Sequence, residues 1–159
     1  MSLLPFFQWA EATSLGEMIR NSSWAFAVIE SFHLLALAVI GGTVLVVDLR
    51  LLGFGLRAQP VAEVAREARP WFIASLIVML MTGVGLFLSE AMKCYASTAF
   101  TVKMTCLAIA IAFTFTVRTS VTSADEGRVR SSWRKAVALV SLTLWFGVAA
   151  SGRWIGFSG

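Results

Sequence analysis

Glu30 and His33 stand one helical turn apart inside WAFAVIESFHLLALAVIGGTVLVV, residues 24–47, a stretch otherwise apolar enough to cross a bilayer. His33 is the chain's only histidine. A carboxylate and an imidazole at i and i+3 share one side of a helix, where they could hydrogen-bond a ligand, hold a metal ion or pass a proton. At about 100° per residue, Leu37, Gly41 and Val44 fall near the same direction, and Asp48 returns almost to that of Glu30. This face is expected to look into a helical bundle. Turning an ionised group toward acyl chains costs roughly 3 kcal/mol on insertion scales.

The elements that must carry such a face follow from composition. The chain is 58% hydrophobic and 14% charged, with a mean hydropathy of +0.80. A soluble domain of 159 residues could not cover that much apolar surface. Four runs reach the roughly 20 residues that a spanning helix requires: about 24–47, 71–92, 99–118 and 136–156. Pro70 is expected at the first position of the second, where its missing N–H costs nothing. Residues 3–20 mix Leu4, Phe7 and Met18 with Glu11, Glu17 and Arg20, too polar to span, and read as an amphipathic helix on the interface. QPVAEVAREAR reads similarly, with Glu63 and Arg66 spaced as a helical ion pair. The fold class is therefore all-α: one membrane domain over 1–159, with four transmembrane helices in an antiparallel bundle preceded by an interfacial helix.

Small residues give the helices faces for close approach: Ala38 and Gly42, Ser75, Thr82 and Ser89, Cys106, Ala110 and Thr114, and Gly147 with Ser151. The basic residues set orientation. Nine of the thirteen lie in or beside two connections, Arg50, Arg57, Arg66 and Arg69 in one and Arg118, Arg128, Arg130, Arg134 and Lys135 in the other. By the positive-inside rule both connections are expected in the cytoplasm and both termini on the outer side of the membrane. A charge of +4 and a pI near 9.7 are thus explained by topology, and nucleic acid is not expected as a partner.

With that orientation Glu30, His33, Glu90, Lys93, Lys103 and Arg153 come to one depth from four helices. Two arrangements fit them. One is a clamp in which Glu90–Lys103 and Glu30–Arg153 pairs lock helix ends around His33. The other is a pocket for a ligand or partner subunit, and ionisable groups within a membrane favour it. At the inner boundary, Asp48 is expected to pair with Arg118 or Arg50, the latter serving also as a headgroup anchor.

Three chemistries remain beside a plain binding role. Haem b would use His33, with Lys103 or Met104 as a second ligand, or be shared across a homodimer, since the usual second histidine is absent. Copper could take His33 with Glu30, Met104, Cys94 or Cys106. Proton-coupled transport through Glu30 and His33 would need a homo-oligomer, four helices being few for a carrier. No nucleophile elbow, phosphate loop or HExxH motif is present, so no enzyme acting alone is expected. Cys94 and Cys106 are too few for a disulfide framework and lack metal-finger spacing, and whether they pair with each other stays open.

At ESFHLLALAVIGGTVLVVDLRLLG, LFLSEAMKCY, AFTVKM and GRWIGF the chain resembles a family of small bacterial integral membrane proteins of unknown function. The resemblance runs from FFQWAEATSLG onward and implies four spans in an inner membrane, without an activity. A looser likeness in the HLL…G pattern extends to copper-resistance membrane subunits and haem-bearing four-helix proteins. Where that likeness implies a late histidine in the third span, this chain has Arg118.

Overall fold

The computed structural model describes residues 3–55, 58–124 and 129–155. Arg57 and Arg128, which contribute to the charge bias, lie outside them. The described chain is helical: α1 (Leu4–Glu11), α2 (Ser14–Asn21), α3 (Ala25–Leu52), α4 (Val61–Ser89), α5 (Ala91–Ala96), α6 (Thr98–Phe113), a π turn (Thr114–Arg118), α7 (Thr119–Ser123) and α8 (Ser131–Ile155). Four of these helices are long and apolar enough to cross a membrane, the third being Thr98–Ser123 taken through the π turn.

Each boundary has a local cause. The single helix expected over 3–20 is two, because Thr13 accepts from Gly16 N at 3.3 Å and caps a new start. The first span runs on past 47 to Leu52, where Gly53, at φ +90°, makes the left-handed cap that an L side chain resists. The second begins at Val61, about ten residues before the expected 71. QPVAEVAREAR is therefore not a separate surface helix, and Pro70 is inside α4 rather than at its start. Proline removes one hydrogen bond there. Val61 and Val64, both buried, hold the first turns in place despite it, Val61 packing with Val121 and Val137. The third span begins where Ser97 accepts from Phe100 N and continues beyond 118 to Ser123. The fourth starts at Ser131.

The helices form an arc rather than a closed square. α3 packs along α4 and α8, and α8 packs along α6, while α4 and α6 scarcely meet. Gly85 of α4 faces Ile29 of α3, and Gly152 of α8 faces Lys103 of α6, so each pair runs antiparallel. The middle is filled by Ile40, Val44, Met79, Leu107, Ala110 and Val148. Trp145 joins them, its ring edge-on to Phe72 at 5.5 Å and its Nε1–H donating to Thr114 Oγ1 at 3.2 Å. The small-residue faces of α4, α6 and α8 are used as packing surfaces. Ala38, Gly41 and Gly42 on α3 are instead exposed, with nothing within 4 Å of a Cβ added at either glycine.

The two N-terminal helices dock on the end of the bundle that carries both termini. A Cβ at Gly16 would run into the Leu88 carbonyl, so α2 crosses α4 at backbone contact. Arg20 bridges the elements, donating to Ser89 O at 3.1 Å and pairing with Glu11 at 3.3 Å. Glu11 Oε2 also accepts from Met92 N at 2.8 Å, which ties α1 to the first turn of α5.

Candidate functional site

His33 is buried because it is the first residue of the α3 stripe that continues through Ala36, Ile40, Val44, Val47 and Leu51. Its neighbour on α4 is Gly83, where a Cβ would come within 3.2 Å of His33 Cε1, so the imidazole occupies the space that a larger residue would fill. Thr82 donates its hydroxyl to Val78 O at 2.7 Å. Its oxygen is therefore left to accept from His33 Nδ1–H, 3.0 Å away. That assignment makes Nε2 an acceptor, and it faces Lys103 Nζ at 3.5 Å.

Lys103 comes from α6, its end lying against Gly152 of α8. Among the described residues its one hydrogen bond runs to His33, leaving two ammonium N–H groups for another acceptor. The pair forms the polar floor of a crevice of about 380 Å³ in the gap between α4 and α6. The walls are apolar, with Met79, Val84, Met104 and Leu107 below and aromatic rings above. Phe87 and Phe100 stack across the gap at 5.7 Å, and Phe6 and Phe7 of α1 close over Phe87 at 6.3 and 5.5 Å. A flat or chain-like apolar molecule carrying a carbonyl or similar acceptor suits such a space.

The other residues expected at this level are dispersed. Glu30 is exposed on α3 and makes no ion pair within 4 Å among the described residues, so it does not join His33. Glu90 pairs with Lys93 one turn on at 3.7 Å, both about 40% exposed, rather than with Lys103. Arg153 is exposed on the last turn of α8. Cys106 packs toward Gly147, while Met104 shares the crevice with His33. Cys94 is buried on α5, where loss of water and then the Glu90 charge push its thiol up to about 11. Both cysteines are free thiols. Among the described residues no three His, Cys, Asp or Glu side chains gather as a metal site. The haem and copper expectations are left with His33 and Met104 as neighbours in one crevice.

A second polar layer is at the opposite end. Arg118 Nε donates to Asp48 Oδ1 at 2.8 Å, with Asp48 fully buried, and its Nη2 reaches the Val44 carbonyl at 3.4 Å. The π turn places Arg118 there, and a π turn in a long helix often marks a functional position. Asp48 Oδ2 and the Ser141 hydroxyl facing the carboxylate make no hydrogen bond in the structure. Arg50 donates to Gln59 O at 2.8 Å and holds the connection after α3. The apolar cluster around Ile40 and Val44 separates this layer from His33 and Lys103.

Sequence reasoning passed over Thr82 as a site residue, and over Gly83, Phe87 and Phe100. Thr82 and Gly83 carried a usable signal, two small residues adjacent in an apolar span; the phenylalanines carried none. In comparison with known proteins, a model described as "Family of unknown function (DUF6644)" matches residues 6–158. No curated protein and no solved structure matches the chain.

Proposed function

The chain belongs to this family of unknown function, and from that premise we propose that it is a small membrane-resident binding protein. In this reading it draws an apolar, acceptor-bearing molecule sideways out of the lipid into the α4–α6 crevice. Lys103 holds the acceptor group, His33 fixes the Lys103 ammonium through Nε2, and Thr82 fixes the imidazole through Nδ1. The supporting observation is the crevice itself, which opens between two spans and is apolar apart from that pair. The charge bias of the two connections supports placing the crevice in the outer half of the membrane, which is the periplasmic half in the bacterial inner membrane that the sequence resemblance implies. Chemistry performed by the protein alone forms no part of the proposal.

The test is retention. Protein purified in mild detergent is extracted with organic solvent, and the small molecules it carried are compared with those of His33→Leu, Lys103→Leu and Gly83→Leu. The wild type should carry a compound that all three variants lack, with Gly83→Leu excluding it by bulk. Equal recovery from all four proteins, each shown folded by circular dichroism, refutes the reading.

A further inference from the structure

A second cleft, of about 580 Å³, opens in the same gap at the end away from the termini, between α4 and the π turn with α7. Arg66 and Arg69 border it from α4, and Arg118 lies on its floor. Arg69 makes no ion pair within 4 Å among the described residues. Arg66 meets Glu63 only at 4.0 Å, with its side chain 77% exposed. Two like charges three residues apart on one helix repel, an arrangement that an anion between them would relieve.

The donors left in the cleft can be counted off. Thr43, Thr119 and Thr122 give their hydroxyl protons to the carbonyls of Ile40, Thr114 and Thr119. Arg118 spends Nε on Asp48 and one Nη2 N–H on Val44, which leaves Nη1 and the second Nη2 N–H. What remains is guanidinium N–H and the hydroxyls of Thr114, whose oxygen accepts from Trp145, and Ser123, a donor set that suits an oxyanion. Glu63 is the one acid lining the cleft among the described residues. On its inner side Val47, Phe72 and Phe115 give an apolar wall, with Phe72 and Phe115 in edge contact at 6.1 Å.

We propose that this cleft binds the phosphate of an anionic phospholipid on Arg66 and Arg69, with an acyl chain laid along Phe72 and Phe115. The phosphate chemistry alone would also suit a soluble phosphate. The apolar wall, useless to a free ion, argues for the lipid. This site is independent of the His33–Lys103 crevice, and neither proposal falls with the other.

Native mass spectrometry of the detergent-solubilised full chain decides it, with phosphatidylglycerol and phosphatidylcholine offered at equal concentration. Phosphatidylglycerol should be retained at least tenfold more. Arg66→Gln/Arg69→Gln should weaken it roughly 25-fold, about fivefold per cation, while Arg66→Lys/Arg69→Lys keeps most of it. Both side chains are exposed, so the fold should tolerate the change, and Arg69→Gln alone, expected at about fivefold, serves if the double variant does not fold. Excess inorganic phosphate should leave the lipid in place. Equal retention of the two lipids, or unchanged retention by the glutamine variants, overturns the proposal. Displacement by inorganic phosphate overturns the lipid assignment in favour of a soluble phosphate.

Discussion

Removing the guanidinium of Arg118 should be the most damaging single change at the end of the bundle away from the termini. Asp48 is 0% exposed, and its Oδ1 sits 2.8 Å from Arg118 Nε, itself only 10% exposed. Its other oxygen already makes no hydrogen bond. Arg118→Leu therefore leaves a carboxylate with neither water nor counter-charge, and breaking one side of a buried pair costs about 3–5 kcal/mol. Asp48→Leu should cost less, about 2 kcal/mol, because a freed guanidinium near a helix end can bend toward headgroups and water. The double variant removes both desolvation penalties and should return to within about 1 kcal/mol of wild type. The two single costs then fail to add by at least about 4 kcal/mol. Reversible unfolding in mixed detergent, followed by the total tryptophan fluorescence to which the buried Trp145 contributes, reads all four corners of the cycle. A cost for Arg118→Leu below about 1 kcal/mol, or simple additivity in the double variant, would refute the buried pair as described.

Three further outcomes are expected. Gly16→Val should force α2 off α4, since its Cβ meets the Leu88 carbonyl, and limited proteolysis should then cut within residues 3–23 faster than in wild type. Thr82→Val removes the acceptor of His33 Nδ1–H and should cost about 1 kcal/mol in the same unfolding assay, whereas Thr82→Ser should restore most of it. In a Cys106→Ala background, alkylation of Cys94 at pH 8 should run roughly 100-fold or more below an unperturbed thiol and rise with pH toward about 11. The folded state keeps that proton after the unfolded chain has lost it. Cys94 should therefore lower stability as pH climbs from about 9 toward about 11, and a thiol that reacts at the ordinary rate contradicts its burial.

The four spans were legible from residue composition because the property that places a helix in lipid, apolar side chains over about 20 residues, belongs to the segment itself. Caps are set by the same kind of local preference, although the expected spans, ending near 47 and starting near 99, did not draw on them. Gly53 and Ser97 carry their conformational preferences with them. Pro70 misled because an internal proline costs a fixed few kcal/mol, about 3, and whether the helix survives depends on packing at Val61 and Val64 that no local rule contains. The family resemblance was legible as well, and it named no chemistry.

The site depended on relations between helices. Glu30 and His33 differ by about 60° around α3, and periodicity alone gave them one shared face. The bundle buries one and exposes the other, because its covering helices lean over the His33 side at that level. Asp48 lies at nearly the same angle as Glu30, yet it is sealed because the π turn swings Arg118 over it. The gap between α4 and α6, and with it both clefts, exists because α8 packs along α6 while α4 scarcely meets it, Phe87 stacking on Phe100 across the opening. The sequence alone determined which segments enter the membrane, through side-chain transfer energies that add along the chain. Only the tertiary structure decided which polar groups meet, because that is set by the angles and separations at which whole helices pack.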